Sequence, residues 1–539
     1  MGWTPEFIAA LESGSLEMRW FLEFVPWRHG DGIGGAFEMS SHEPGSQKRI
    51  SPEITVTGAS VDPGSWRYTH GGFSVGVTGE LWHVFDQIRL GNLARLLLGF
   101  SGWDLDAFQP VAIGTLRQIR GLHPVYTLEF VDVLQSLQVR STSDPDALAL
   151  FGALETAPGT AVSTTLTAKY VPGGGTLGIT ASAGFVRGAT QGAVVVDPED
   201  GGSTGEPFYL LYSGSTASTL TGLSPVDKHG TAQECAGPGS VVTACALLEG
   251  HPITISRQLL TSTGAGTNGG DDVLPETWGM GVPVEWIDHH DMNEFRDVMG
   301  STRELHEWSV IAQDPQETGL EWWAGYLSAA GAWLVTRQGQ ITARIAQNPH
   351  ESGPAAVFRW FDPIHTGITI THRDIAEIVE FEAWSAAPAA ETSEMLCWYN
   401  ASHAVGSETY TSAYEGTGPR GSLETSPGVA QTSVDITAVF WGGSAGAPYP
   451  SDAPQDVILR TMMWLLRKPE RISLVCRGLR LAQLCAGDLV YLTTYLLQGR
   501  LSETGGGYDR QPAMITGITV DWTDGSVAVD LVISSREVS

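Results

Sequence analysis

The sequence DAPQDVILRTMMWLLRKP at 452–469, together with the strand patterns that follow it, decides the predicted fold. Its apolar residues recur at three- and four-residue spacing, which predicts a short amphipathic helix that ends at Pro469. An alternating strand pattern follows at 472–481, and Ala486-Gly487-Asp488 then predicts a turn before a second strand at 489–493.

The last strand patterns predict a hairpin. The segments 513–522 and 526–533 alternate with period two and flank Thr523-Asp524-Gly525. Asp-Gly is typical of a tight hairpin turn. This part of the sequence contains no reactive motif, so we interpret it as a structural module.

The first 155 residues also show mostly strand patterns. A helix is predicted at 5–11, with Thr4 as its N-cap and Pro5 at its first position. Alternating patterns occur at 16–25, 53–56, 71–77 and 111–119, and the segment 126–137 changes from strand to helix near Val131-Asp132. Short strands bounded by turn residues predict a small β-barrel or sandwich.

Composition changes between residues 156 and 250, where Thr, Ser, Ala and Gly dominate and charged residues are sparse. These residues favour turns over helices, which predicts a compact inserted β-domain. Its role is open between a peripheral decoration that contacts a neighbouring protein and a solvated spacer. Helices at 251–262 and 318–330 and a hairpin at 333–345 follow, and strands are predicted at 377–384 and 394–399.

The predicted fold class is therefore mainly β with short helices (α+β), built from tandem small β-barrel or sandwich domains. We expect four domains: an N-terminal β-barrel at 1–155, an inserted β-domain at 156–250, a middle α+β domain at 251–365, and a second β-barrel with a C-terminal helix and hairpin at 366–539.

Charge disfavours a protein that binds nucleic acid. The 539 residues contain 60 Asp and Glu against 30 Lys and Arg, a formal net charge of −30. Nucleic-acid affinity depends on Lys and Arg that neutralise phosphates. The acidity indicates either a surface that must not hold DNA or an adaptation for solubility.

Five cysteines are typical of thiols kept in a reducing compartment. Cys397, Cys476 and Cys485 lie in apolar patterns and are predicted in the core, whereas Cys235 and Cys245 are close enough in sequence to pair if oxidised. The sequence predicts no membrane span, because no apolar run approaches about 18 residues, and no secretory signal.

The densest group of potential metal ligands is Asp288-His289-His290-Asp291, followed by Glu294, Asp297 and His306. Carboxylates and imidazoles both bind metals, but this spacing lacks the HExxH register that places two histidines on one helical face. We therefore favour a polar loop that leads into a helix capped by Asp291 or Asn293.

Three features of the sequence bear on enzymatic activity, and none of them supports it. A glycosidase needs two carboxylates at a fixed separation, and the sequence contains no glycosidase signature that would identify such a pair. The tryptophans that could stack on sugars lie in patterns typical of core or interface: Trp322, Trp323, Trp384, Trp398 and Trp441. The G-x-S-x-G motif at 442–446 precedes two prolines that bar the helix of a nucleophile elbow. The glycines at 173–175 lack the end of a phosphate-binding loop and predict a turn. We predict no enzyme, no cofactor, and no catalytic, cofactor-binding or metal-binding residue.

Three stretches resemble the baseplate or tail hub (tail tip) proteins of long-tailed bacteriophages: the "AGDLVYLT" segment after the helix, the "YTLEFVDVLQSL" segment at 126–137, and "AWLVTRQGQITARI" at 332–345. The resemblance covers about 300 of the 539 residues at motif level. It implies a structural virion protein, a homotrimer in which each subunit supplies two similar β-domains. Such a ring would match the hexameric tail tube and enclose the DNA exit channel.

The resemblance further implies partners and a place of action. The expected partners are the distal tail or tail tube protein, the tape-measure protein and a tip or fibre protein. DNA would pass through the channel without specific binding during ejection. The protein would be assembled in the host cytoplasm and act in the virion at the tail tip, where the tail attaches to the host cell. The alternative is a tail-associated polysaccharide- or peptidoglycan-degrading enzyme or a sugar-binding module. The sequence leaves open whether the tail contracts, the host and its receptor, and which residues face the lumen.

Overall fold

The computed structural model describes the following residues: 3–14, 17–25, 37–40, 48–57, 59–62, 67–79, 92–122, 124–138, 155–157, 160–161, 163–171, 173–183, 185, 192–198, 208–226, 236–245, 247–261, 282, 284–300, 308–311, 323–324, 327, 332–345, 347, 364–382, 392–400, 410–415, 430–441, 470–497 and 507–533. These residues are mostly strand with a few short helices, so the predicted fold class is confirmed.

The first part of the main sheet is a closed barrel, called barrel 1. Its order is β1-β7-β8-β9-β6-β3, and β2 pairs with both β1 and β3 to close the ring. The seven strands are β1 (Met18–Val25), β2 (Phe37–Ser40), β3 (Lys48–Thr57), β6 (Gly72–Gly79), β7 (Leu93–Phe100), β8 (Gln109–Leu122) and β9 (Val125–Asp132). Its interior is apolar, and the rings of Phe73 and Phe130 stack there with centroids 4.3 Å apart.

The second part of the same sheet is barrel 2, in the order β24-β30-β31-β32-β29-β25. Its strands are β24 (His365–Thr371), β25 (Ile375–Glu382), β29 (Glu470–Arg477), β30 (Leu489–Thr494), β31 (Tyr508–Asp521) and β32 (Ser526–Ile533), and the short strands β4 (Ser60–Asp62) and β5 (Arg67–Thr69) attach to β31. A turn closed by the hydrogen bond from Asp374 N to Thr371 O joins β24 to β25. No ladder pairs these two strands, so barrel 2 is open between them in the described chain.

The two barrels are joined edge to edge, because Thr55 and Val56 of β3 pair with Asp521 and Val520 of β31. The helix α1 (Pro5–Ser13) packs across this joint and contributes Phe7 to the core. Its N-cap Thr4 accepts a hydrogen bond from Phe7 N, as the sequence predicted, and the left-handed Gly14 ends it.

The strands between residues 155 and 245 pair only with one another in the described chain. Five of them form one sheet: β12 (Ser163–Thr165), β14 (Gly192–Asp197), β15 (Phe208–Tyr212), β18 (Ser224–Val226) and β19 (Val241–Cys245). The others are β10 (Glu155–Ala157), β11 (Thr160–Ala161), β13 (Thr176–Gly178), β16 (Gly214–Thr216) and β17 (Thr219–Thr221). Apolar side chains of these sheets, such as Val194 and Leu210, are fully buried.

The middle of the chain combines helices with two further sheets. The helices are α2 (Val133–Gln138), α3 (Pro252–Thr261) and α4 (His289–Gly300), and 3₁₀ turns lie at Leu105–Ala107, Val284–Trp286 and Leu479–Gln483. One sheet is the hairpin β22 (Ala332–Arg337) and β23 (Gln340–Ile345). The other contains β20 (Leu247–Gly250), β21 (Trp308–Ile311), β26 (Thr392–Asn400), β27 (Tyr410–Glu415) and β28 (Ala430–Trp441), so it crosses the boundary drawn at residue 365.

Several local predictions are confirmed. Strand gives way to helix between Asp132 and Val133, the hairpin at 332–345 turns at Gln338 and Gly339, and the last hairpin turns at Gly525, all with positive φ in the turn residues named. One prediction is corrected: the strand drawn at 472–481 ends at Arg477. Gly478 adopts φ +78, which breaks the strand, and a 3₁₀ turn follows.

Other predictions fall outside the described residues. These include the helix at 452–469, the G-x-S-x-G segment, Cys235 and most of the helix at 318–330. Of that last helix, Trp323 and Leu327 are described and both are buried. None of the described helices has the length and apolar character needed to cross a bilayer.

Candidate functional site

Among the described residues, the most concentrated group of buried charges lies where α4, the β22–β23 hairpin and the Gly487-Asp488 corner meet, and we call it the ion-pair centre. Arg344 is 1% exposed, with Nη1 2.6 Å from Asp291 Oδ2 and Nε 2.8 Å from Asp488 Oδ1. Arg337 Nη1 lies 3.3 Å from Asp291 Oδ1. Two guanidinium groups therefore face two carboxylates, which is the condition under which buried charges are tolerated.

The carboxylates also accept hydrogen bonds from neutral donors. Thr342 Oγ1 donates to Asp291 Oδ2 at 2.8 Å, and Cys485 N donates to Asp488 Oδ2 at 2.9 Å. Arg344 Cζ lies 4.6 Å from the centroid of the Phe295 ring, on α4. The centre thus ties the middle helix, the hairpin and barrel 2 together with directional contacts.

Electrostatics keeps the centre ionised. Burial opposes ionisation of Asp291, but Arg344 and Arg337 outweigh it and hold the pKa of that carboxyl below its ordinary value. Burial also opposes the charge of Arg344, while Asp488 and Asp291 raise the pKa of its guanidinium well above the ordinary range. The Cys485 thiol beside them is buried, which raises its pKa and leaves it neutral.

A glycine allows this close packing. Gly487 has φ +102, and a Cβ there would lie 2.6 Å from Trp333 Cζ2 and 3.0 Å from Arg344 Cβ. Gly487 N donates to Ile515 O at 2.7 Å, which anchors the corner to β31. The turn predicted from Ala486-Gly487-Asp488 is therefore the element that delivers Asp488 to Arg344.

A second buried carboxyl lies at the end of β9 and caps α2. Asp132 Oδ1 accepts a hydrogen bond from Leu134 N at 2.8 Å, and Oδ2 accepts one from Thr336 Oγ1 of the hairpin at 2.5 Å. Burial raises the pKa of Asp132 to about 6. A cavity of about 70 Å³ adjoins it between the two barrels, with Trp522 also in its wall.

The structure separates the candidate metal ligands predicted from the sequence. Asp288 caps α4 through a hydrogen bond from Asp291 N at 3.1 Å, so the cap is Asp288 rather than Asp291 or Asn293. Asp291 points into the ion-pair centre. The side chains that remain exposed or half-buried are His289, His290, Glu294 and Asp297, and His306 lies outside the described residues. The described residues contain no group of three potential ligands close enough to hold a metal ion.

Other residues that the sequence motifs contain also have structural positions. Trp323 is fully buried and donates from Nε1 to Ser256 Oγ at 2.7 Å, so of the two places predicted for it, core or interface, it lies in the core. Gly174 N donates to Val171 O, so the glycine run at 173–175 forms the predicted turn. Cys476 and Cys485 are buried free thiols, as predicted, while the side chains of Cys245 and Cys397 lie outside the described set.

The sequence did not reveal the ion-pair centre. The sequence patterns indicate a possible ligand or cap at Asp291 and a turn at Asp488, but they indicate no role for the guanidinium groups of Arg337 and Arg344. The only local signal was an arginine at 344 between apolar residues of a strand pattern. The charges of the centre are paired with one another, so its role is to join α4, the β22–β23 hairpin and barrel 2.

The similarity of this chain to known proteins lies in its structure and not in its sequence. No family model and no curated protein matches it. Solved structures that align with it include the 43 kDa tail protein of prophage MuSo2 from Shewanella oneidensis (9% identity, 96% of this chain and 98% of that chain, TM-score 0.35), the prophage tail protein gp18 from Listeria monocytogenes EGD-e (8%, 97% and 96%, 0.38) and the p2 virion baseplate in its activated conformation (7%, 97% and 100%, 0.23). These structural neighbours are phage tail and baseplate proteins.

Proposed function

We propose that this protein is a structural component of a phage tail tip or baseplate: a trimeric hub that joins the hexameric tail tube to tip or fibre proteins. The observation that carries the proposal is the pairing of β3 with β31, which fixes two β-barrels side by side in one chain. Three copies would present 3 × 2 = 6 barrels, and six is the number needed to face a hexameric tube. The three hub-like sequence stretches support the same assignment.

The charge fits a channel that DNA leaves through. Three copies would carry 3 × −30 = −90, and a surface rich in carboxylates repels phosphates. In this proposal Asp and Glu are denser on the lumen than on the surface that faces the tube, because charged residues are depleted at interface cores. If the lumen of an assembled tail proved basic, solubility alone would explain the acidity of the chain.

The remaining parts of the proposal concern partners and chemistry. The hub would contact the distal tail or tube protein, the tape-measure protein and a tip or fibre protein, in particles assembled in the host cytoplasm. The segment 156–250 would be a separable inserted domain. The role is structural and requires no catalytic step, and the buried ion-pair centre supports this because it holds domains together.

Localisation within the particle tests the proposal directly. Purified tails are labelled with antibody against the chain, and electron microscopy should show label at the distal end of the tail. Negative stain of the purified protein should show rings with three large subunits. Label along the tail shaft, or none, would contradict the hub. Zymography on host cell walls tests the alternative: clearing by the purified chain would favour the wall-degrading enzyme.

A further inference from the structure

Barrel 2 has an open edge at β25. This strand ends the main sheet, and no described strand pairs with its outer side. Four of its residues, Ala376, Glu377, Val379 and Glu380, are exposed, and Val379 is 62% exposed. An open strand edge offers unpaired backbone donors and acceptors to another strand, so soluble proteins cover or use such edges.

A second open edge lies on barrel 1, along the outer half of β8, where this strand extends beyond the closed part of the barrel. The strand β7 pairs with β8 only between Gln109 and Thr115, and β8 continues to Leu122 as one arm of a projecting hairpin with β9. Beyond Leu116 no described strand pairs with the β7-facing side of β8. The hairpin tip is apolar and solvent-facing, with Leu122 86% exposed and Val125 52% exposed.

The two edges carry opposite charge. Arg117 and Arg120 are exposed on the outer half of β8, and one acid of this hairpin, Glu129, pairs with Arg120 at 3.3 Å. The edge β25 carries Glu377, Glu380 and Glu382. A groove of about 360 Å³ beside β25 adds Asp530 of β32 to this acidic side, with Arg471 as its cation.

We propose that residues 117–122 of β8 pair edge to edge with β25 of a second copy of this chain. Backbone hydrogen bonds would give the affinity of such strand addition, and cross-strand Arg–Glu pairs would select the partner. The donor edge lies on barrel 1 and the acceptor edge on barrel 2, so the contact is heterologous and repeats from copy to copy. Repetition of one heterologous contact closes a ring when its rotation permits. This inference rests on the proposed hub and identifies the contact that assembles it.

Charge reversal tests the contact. The variants R117E/R120E and E377R/E380R each place like charges across the proposed interface, and the fourfold variant restores opposite charges in the reverse sense. Sedimentation velocity over a concentration series should show the apparent dissociation constant of self-association rise at least about tenfold in each double variant. The fourfold variant should recover most of that loss. The control K169E/R296E makes the same change in net charge as R117E/R120E, at sites on neither edge, and should associate like the parent.

Hydrogen exchange measures the protection of backbone amides, which a change in charge alone does not alter. In the associated parent, amides within 117–122 and 375–382 should exchange at least about tenfold more slowly than in the dissociated double variants. Double variants that associate like the parent, a fourfold variant that stays dissociated, or unprotected amides in the associated parent would each overturn the contact. A parent that stays monomeric but is found at the tail tip would overturn this contact and leave the tail-tip assignment standing. A parent that associates through these edges but is absent from tails would support this contact and overturn the tail-tip assignment.

Discussion

Trp3 and Trp522 meet edge to face, with ring centroids 6.4 Å apart, although they come from opposite ends of the sequence. Trp3 precedes α1 and Trp522 follows β31, so their rings pack together where the two barrels join. Trp3 Nε1 also donates to Pro110 O of β8 at 2.7 Å, and Trp3 N donates to Gln338 Oε1 of the hairpin at 2.8 Å.

We expect W3A to lower the free energy of unfolding by about 3 kcal/mol or more, because a buried aromatic ring and its hydrogen bond are both lost. The variant W3F keeps an aromatic ring but lacks the indole N–H, so it should lose clearly less. Urea unfolding followed by tryptophan fluorescence and circular dichroism measures both. Equal losses in the two variants would show that the hydrogen bond to Pro110, rather than the packing, dominates.

The ion-pair centre predicts a large effect from one charge removal. R344M leaves Asp291 and Asp488 buried without their shared partner, and breaking a buried pair typically costs about 3–5 kcal/mol. The matched control is R296M, because the Arg296 side chain is 35% exposed and pairs with the exposed Asp297. That surface pair should contribute less than about 1 kcal/mol. Similar unfolding midpoints for R344M and R296M would contradict a structural role for the centre.

Gly487 predicts a difference between two glycine substitutions. G487A forces a side chain into the left-handed region and against Trp333 and Arg344, whereas G525A meets nothing within 4 Å. The backbone cost of about 1 kcal/mol applies to both, so G487A should lose clearly more stability. Thermal unfolding of both variants measures this. A G487A no less stable than G525A would mean that the corner relaxes freely.

Asp132 predicts a pH dependence with a definite sign. Its pKa rises from an ordinary value of 3.8 to about 6 on burial, so between these pH values the folded state binds more protons than the unfolded state. The contribution of Asp132 to stability is therefore fully present below pH 3.8 and is lost as pH rises through about 6. The loss amounts to about 3 kcal/mol, from about 1.4 kcal/mol for each pH unit.

The variant D132N tests this contribution, because Asn keeps acceptor capacity for Leu134 N but cannot ionise. Urea midpoints of parent and variant are compared at intervals from pH 4 to pH 8. The parent should lose stability relative to D132N as pH rises across 4–6, and the difference should level off above pH 7. A constant difference at every pH would show that Asp132 does not titrate in this range.

The inserted segment predicts a tolerated deletion. The strands between 155 and 245 pair with one another in the described chain, so joining residue 155 to residue 247, which keeps β20 for its pairing with β21, should leave both barrels able to fold. Soluble yield and circular dichroism of the deleted chain check this, and negative stain checks whether it still assembles. Complete loss of soluble protein would show that the segment belongs to the core.

Local structure followed from local sequence in most places. Thr4 and Pro5 predicted the start of α1, and Thr523-Asp524-Gly525 predicted the last hairpin, because caps and turns depend on a few adjacent residues. Gly478 ended a strand that its apolar alternation would have continued, since only the backbone conformation at that glycine decides the break.

Long-range partners did not follow from local sequence. Arg344 and Asp488 are 144 positions apart, and nothing in the strand pattern around Arg344 indicates which carboxylate it faces. The same holds for the pairing of β3 with β31, because nothing in the local sequence of either strand indicates the other as its partner. Periodicity predicts which face of a strand is buried, whereas partner choice depends on the assembled core.

The pairing of β3 with β31 also sets an order for synthesis. Residues 48–57 leave the ribosome well before their partner at 508–521, which is translated about 450 residues later at about 5–20 residues per second. Barrel 1 must therefore wait on the order of half a minute or more with an unpaired strand edge. A nascent chain in this state exposes the kind of edge that recruits chaperones or aggregates. Messages that stall or terminate before codon 508 should yield chains that are degraded rather than partly functional.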